Sequence, residues 1–310
     1  VEDSTKSPLV LEGSVDAYFR SNVSGGFDTA PGTSFANLPG FSLGMVNLIA
    51  SKEGEKTGFV ADLVIGPRGA DAVFASEAPL NLVNQLYAYW NINDKVTATL
   101  GNFNTFLGYE VISPTANFNY STSYMFSYGP FSHAGLKLDF DLGSGFSLMA
   151  GVFNPTDFTD FNPLNEYVGG AQLGYDFGKG SVYVNTLFDD DFFQIDLTGG
   201  VDLTDKVYLG INATSASDNF YGVAGYLQVS TSEALSFGTR VEYFADEGVG
   251  VLGTGENVLD ATLSANYKVG DLTIIPEFRV DLVSNDVFDD GEGIMEDQLA
   301  SFVLAVVYGF

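Results

Sequence analysis

Two residues invite a catalytic reading at once. Ser132 and His133 are adjacent, and a serine nucleophile needs an imidazole base within hydrogen-bond reach and a third group to orient it. If they lie on an extended strand, neighbouring side chains point to opposite faces, so this pair cannot meet. His133 is the one histidine of the chain and there is no cysteine, so multi-histidine zinc sites, thiolate sites and disulfides are excluded. Acidic groups are the other candidates. Asp189-Asp190-Asp191 and the run from Asp286 through Asp289 and Asp290 to Asp297 offer carboxylate oxygens of the kind calcium takes. The D-V-F-D-D-G-E spacing lacks the full EF-hand pattern, which favours solvated acidic loops. No cofactor is expected, and weak divalent-cation binding at those loops stays open as the alternative.

The remaining charges sit at every second position of apolar stretches. Asp16 and Arg20, Lys137, Arg240 and Glu242, and Glu277 and Arg279 alternate with large apolar side chains. A basic side chain facing lipid at mid-depth costs ~2–4 kcal/mol, whereas facing a water-filled lumen it costs little. Arg20, Arg240 and Arg279, joined by Lys137, are expected to form one basic side of a constriction, with Asp16, Glu242 and Glu277 beside them, because charged rings set ion preference in pores. Salt bridges bracing a plugged barrel are the competing reading of the same residues.

The elements that must position them are strands. The chain of 310 residues is 45% hydrophobic yet carries a net charge of −28. That charge argues against nucleic-acid binding, and the hydrophobicity argues against disorder. The longest apolar run, Phe302 to Tyr308, is far short of the ~18 residues of a spanning helix. In its place period-two alternation recurs along the whole length. Ala300, Phe302, Leu304, Val306, Tyr308 and Phe310 make one large row, while Ser301, Val303, Ala305, Val307 and Gly309 make a small one. Sixteen strands are predicted, at 9–22, 40–51, 57–66, 84–91, 95–103, 131–141, 145–154, 166–176, 180–188, 192–202, 206–214, 220–230, 234–245, 258–268, 271–282 and 297–310. Fourteen or eighteen are the alternatives. Segment 67–83 has room for a helical turn.

Connections alternate. Those at 23–39, 67–83, 104–130, 155–165, 246–257 and 283–296 are long. Those at 92–94, 142–144, 177–179, 203–205, 231–233 and 269–270 are tight and carry turn residues such as Gly143-Ser144 and Gly270-Asp271. The fold class is therefore all-β: one transmembrane antiparallel up-and-down barrel over 1–310, with long extracellular loops and short periplasmic turns. Aromatic residues fall near both strand ends, as bilayer interfaces select. A β-sandwich would not predict the loop asymmetry. The polar opening VEDSTKSP fits an exported chain whose signal peptide has been removed. Acid concentrated at the long-loop end should give a mild cation preference at low salt.

Segment 104–130 is the longest connection, and its aromatic residues need burial. It is expected to fold into the barrel and narrow it with Phe118, Tyr120, Tyr124, Phe126 and Tyr128, placing Glu110 against the basic side. Capping the extracellular mouth or touching a neighbouring protomer is the alternative.

The stretch Leu100 to Leu138 resembles the OmpL-like β-barrel porin family. The likeness rests on Gly101, Phe103, the run Phe106-Leu107-Gly108-Tyr109-Glu110, Asn119 to Ser123, and Tyr128-Gly129-Pro130-Phe131 with His133 and Gly135. The resemblance implies a barrel with a pore in the outer membrane of a Gram-negative bacterium, and it implies no substrate. A terminal strand ending on an aromatic also resembles the signal such barrels present to their assembly machinery. The expected function is passive diffusion of small hydrophilic solutes or ions, not enzymatic catalysis. A pore-less barrel serving as a scaffold or accessory subunit is the rival. Expected partners are outer-membrane lipid and lipopolysaccharide, small solutes, and a second copy or another envelope protein.

Overall fold

The computed structural model describes residues 8–24, 35–250, 255–289 and 292–310. The opening residues 1–7, part of the 23–39 connection, residues 251–254 and Asp290 lie outside them. The barrel strands begin with β1 (Val10–Ser24), β2 (Gly40–Lys52), β3 (Thr57–Ile65), β4 (Val83–Asn93), β5 (Val96–Asn104), β6 (Ser132–Gly143), β7 (Phe146–Phe153) and β8 (Val168–Asp176). They continue with β9 (Gly180–Phe188), β10 (Phe193–Thr204), β11 (Val207–Ala216), β12 (Phe220–Ser230), β13 (Leu235–Asp246), β14 (Asn257–Val269) and β15 (Leu272–Val283). A two-stranded hairpin, β16 (Phe288–Asp289) and β17 (Met295–Glu296), precedes the closing strand β18 (Gln298–Gly309).

Each barrel strand pairs with its sequence neighbours, and β18 pairs with β15 and β1, so the sheet closes with sixteen strands. Fourteen and eighteen are excluded, and every predicted strand end falls within two residues of the observed one. Closure is what hydrocarbon demands, since an open edge would leave backbone groups unsatisfied. At the seam Ser14 opposes Gly309 and Arg20 opposes Val303. Gly13 and Phe310 exchange both backbone hydrogen bonds at 3.0 Å.

The two rows of β18 separate as their sizes require. Phe302, Leu304, Val306 and Tyr308 are exposed on the outside, while Ser301, Val303, Ala305 and Val307 are buried inside. Phe41, Phe188, Phe193 and Tyr221 are exposed at one end of the wall, and Trp90, Tyr175, Tyr267 and Tyr308 at the other.

Two connections enter the barrel from the same end. The first carries α1 (Pro67–Ala72), with proline in its opening turn where no N–H is needed. It buries Arg68, Gly69 and Ala72. The absent side chain of Gly69 lets the helix lie on Val64 of β3. The second, residues 105–131, carries α2 (Tyr124–Tyr128). Ser123 caps it, its hydroxyl oxygen accepting from the Phe126 N–H at 3.1 Å. The sequence reading allowed for a turn in 67–83 but foresaw neither α2 nor the β16–β17 hairpin.

Candidate functional site

Strand alternation points Asp16, Arg20, Asp196, Arg240, Glu242, Asp260, Glu277, Arg279 and Asp281 into the barrel, and all of them are buried there. What buries them is the inserted segment. Its outgoing limb is fixed where Thr105 Oγ1 meets His133 Nε2 at 2.9 Å and where the Gly108 N–H donates to Asp196 Oδ1 at 3.0 Å. Tyr109 stacks on Tyr226 of β12 with ring centroids 4.0 Å apart. Glu110 then accepts from Arg240 Nη1 at 2.7 Å and from the Ser123 N–H at 2.6 Å, which joins the two limbs.

The returning limb is held by its backbone. The Tyr120 and Ser121 N–H groups donate to the two oxygens of Glu277 at 2.7 and 3.0 Å. Those of Tyr124 and Met125 donate to Glu242 at 2.7 and 2.8 Å. The carbonyl of Ser121 accepts from Arg240 at 2.8 Å, and that of Thr122 from Arg279 at 2.7 Å. Tyr120 donates its hydroxyl to Asp16 at 2.5 Å. Arg68 of α1 reaches the carbonyls of Ile112 and Tyr120 at 3.0 and 3.3 Å and lies over Phe35. Each hydrogen bond to a charged group contributes ~1.5–3 kcal/mol net of the water bonds it replaces. Beneath these anchors the wall arginines pair with wall aspartates. Asp260 lies 3.2 Å from Arg240 and 2.7 Å from Arg279, and Asp281 lies 2.9 Å from Arg279.

These contacts correct the sequence reading in two ways. Arg20, Arg240, Arg279, Glu110, Glu242, Glu277 and Asp16 do not line water: all are sealed under the inserted segment or at its seam. Arg20 donates to the Asn37 carbonyl at 3.0 Å. Lys137 does not share their side of the barrel. It stands on β6, seven strands from both β13 and β15 around the closed ring, and pairs with Asp139 at 2.9 Å in an accessible position.

Among the aromatic residues of the segment, Phe118 packs on Gly238 of β13. Tyr120 lies 5.6 Å from Tyr18, Tyr124 5.5 Å from Phe244, and Tyr128 6.0 Å from Phe244. Phe126 stacks on Phe131 at 4.9 Å. Of the acidic loop residues, Asp189 accepts from the Asp191 and Phe192 N–H groups and Asp289 from Gly293. Asp190, Asp191 and Asp286 are exposed. Among the described residues, no cluster of three or more acidic or histidine side chains could hold a metal.

Three cavities lie beside the segment, and a narrow gap, termed the neck, separates the segment from the wall of β10 and β11. One cavity of about 580 Å³ opens near the short turns, beside Thr115, Phe118, Gln228, Asn266 and Lys268. A second, of about 570 Å³, lies against Gln85, Tyr87, Tyr89, Asn104 and Lys137. A third, of about 230 Å³, lies under Tyr109, Tyr208 and Tyr226. The neck holds about 10 Å³ between Leu107, Gly108, Met125 and Pro130 on one side and Asp196 and Asn212 on the other. That is room for about one water. Asn212 and Asn185 both donate to Asp196, at 2.6 and 2.7 Å. Neither asparagine was singled out as a neck residue from sequence, although both belong to the small inward rows.

The family model described as "Putative beta-barrel porin-2, OmpL-like" matches residues 8–310. No curated protein matches the chain. Among solved structures, the outer membrane channel DcaP of Acinetobacter baumannii is similar at a TM-score of 0.66 and 13% identity, over 100% of this chain and 99% of that one. The anion-selective porin from Comamonas acidovorans gives 0.64 at 9%, over 98% and 100%. The trimer form of OmpT, an outer membrane protein of Vibrio cholerae, gives 0.64 at 11%, over 98% and 100%.

Proposed function

The chain belongs to that OmpL-like β-barrel porin family, and from this premise we propose that it passes small hydrophilic solutes across the outer membrane by passive diffusion, through a lumen that residues 105–131 hold shut at rest. Family and fold point to a channel rather than an enzyme. The observation that carries the gated form of the reading is the contrast between cavities of about 580 and 570 Å³ and a neck of about 10 Å³. The wide parts are polar and suit hydrated solutes, while the neck admits none until its loop side moves. The neck's wall side bears Asp196 and no base, which supports a mild cation preference that fades as salt screens it. Lipid around the wall and association of several copies complete this picture.

The backbone anchors on Glu242 and Glu277 favour a second reading, a permanently plugged barrel acting as a scaffold. Purified protein in planar bilayers separates the two. Brief, discrete ohmic steps support the channel. Deleting 112–127 with a short Gly-Ser link should convert them to long openings several-fold larger. Silence from the folded, heat-modifiable wild type across preparations, with conductance only after the deletion, would establish the plug.

A further inference from the structure

We propose that the cleft between the inserted segment and strands β11 to β14 binds a neutral polyhydroxylated solute, a short oligosaccharide, entering from the short-turn end. This names a solute class for the channel reading above, and it rests on that reading for passage but not for binding. The cavity of about 580 Å³ near the short turns and the one of about 230 Å³ under the tyrosines are both lined by Phe118 and Gln228, so they meet there. Their size is that of small-ligand sites, ~300–1,000 Å³.

The wall of the cleft is laid out in register. Tyr208, Gln228 and Gly238 oppose one another across β11, β12 and β13. Tyr208 leans along the wall, its hydroxyl where a side chain on Gly200 of β10 would stand. Phe118, from the inserted segment, covers Gly238 on the other flank. Gln228 therefore stands between two aromatic rings, and among the described residues none hydrogen-bonds its amide. Two residues nearer the short turns, Ser230, Ser236 and Asn266 form a second row across β12, β13 and β14. The two serine hydroxyls meet at 3.0 Å, and Asn266 donates to the Phe118 carbonyl at 3.1 Å.

This chemistry selects the ligand. Hydroxyl and amide groups both donate and accept, as sugar hydroxyls do. Ring faces carry a partial negative charge, which attracts the C–H groups on one face of a pyranose. Charge is kept away from the rings. Lys268 and Asp271 are exposed at the outer end, and Glu110 at the inner end is held by Arg240 and the Ser123 N–H. An ionised solute would leave water for a wall that offers no free counter-charge. The other large cavity differs, because Lys137 and Glu53 line it. Phe118 belongs to the segment and Gln228 to the wall, so a bound sugar ties the two together.

The test is saturation-transfer-difference NMR on the full barrel, folded in tetraethylene glycol octyl ether, a detergent without a sugar head group. The probes are cellobiose, and glucose against glucuronate as a matched pair. The expected result is a saturable cellobiose signal carried by its ring C–H protons, with glucuronate bound at least fivefold more weakly than glucose. Gln228→Leu, which keeps the volume and removes the amide, should weaken cellobiose binding at least tenfold. Tyr87→Leu, in the other large cavity, should leave it unchanged. Heat-modifiability reports folding, and Tyr208→Leu replaces Gln228→Leu if that variant does not fold. Absence of a saturable cellobiose signal overturns the proposal. So does equal binding by wild type and the cleft variant, loss of binding in Tyr87→Leu alone, or glucuronate bound as tightly as glucose. Cellobiose binding by a barrel that never conducts in bilayers would sink the channel reading and leave the site standing, and conductance without cellobiose binding would do the reverse.

Discussion

Replacing Arg240 by alanine tests the resting closure most directly. Its side chain is fully buried and makes four kinds of contact: Glu110 at 2.7 Å, the Ser121 carbonyl at 2.8 Å, Thr262 at 3.1 Å and Asp260 at 3.2 Å. Two of these belong to the inserted segment. Asp260 keeps Arg279 in the variant, and Glu110 keeps the Ser123 N–H. Even so, Glu110 loses its counter-charge and the Ser121 carbonyl its donor, both out of water. Breaking a buried ion pair from one side costs ~3–5 kcal/mol. The backbone ladder at Arg240, opposite Tyr226 and Thr262, survives loss of the side chain, so the cost falls on docking of the segment rather than on the barrel. At 1.36 kcal/mol per decade, the open-to-closed ratio should rise by about a hundredfold to a few thousandfold. Single-channel recording in planar bilayers reads that ratio as time spent open. Arg240→Lys, which keeps a charge but not the fork, should fall between the two. A folded, heat-modifiable Arg240→Ala barrel that opens no more often than wild type would refute the reasoning.

Two further outcomes follow from the neck and from the loop above it. Asp196→Asn removes the charge beside the gap; a unit charge ~4 Å from a passing ion in water-like surroundings is worth ~1 kcal/mol of attraction to a cation and as much repulsion to an anion, so the cation-to-anion permeability ratio should drop up to about thirtyfold, read from reversal potentials at low salt. Asp157, in the connection between β7 and β8, is pushed up to about 6 by burial, against the N–H groups of Phe131 and Ser132 that donate to it. The folded barrel thus takes up a proton between about pH 4 and 6 that the unfolded chain does not, so stability should fall as pH rises through that window, by no more than ~3 kcal/mol. Urea unfolding of Asp157→Asn in lipid should lack that fall.

The barrel was legible because lipid imposes one rule on every strand. β18 shows it: a large row and a small row at period two can only be sorted outward and inward, and closure then fixes the partner of the last strand. The same alternation told that Arg240, Glu242 and Glu277 face inward, but not what covers them. Coverage depends on a segment more than a hundred residues away in sequence. The misplacement of Lys137 has a different cause, since its distance from the arginines could have been counted. The sixth strand of a closed sixteen lies opposite the thirteenth to fifteenth, whatever the side chains. The inward turn of α1 also left a signal, a run of Gly69, Ala70 and Ala72 small enough to pack against a wall around Arg68.

That the docked segment belongs to the fold, and is not merely parked in the lumen, follows from the shape of the wall. A Cβ added to Gly210 would stand 2.7 Å from the ring of Tyr109, and one added to Gly222 would stand 2.8 Å from Met125; at Gly238 it would overlap Phe118. Inward positions on β11, β12 and β13 are thus stripped of side chains where the segment places bulk. Between them stand Tyr226, Arg240 and Glu242, which pin what the glycines admit. Glycine weakens a strand it does not serve, so a bare wall is worth its cost only when something fills it. Cooperative seating of this kind makes partial displacement expensive, because moving one ring uncovers bare backbone and unpairs a buried charge together. Opening should therefore be all-or-none, with single-channel records showing one conducting level and no graded series beneath it.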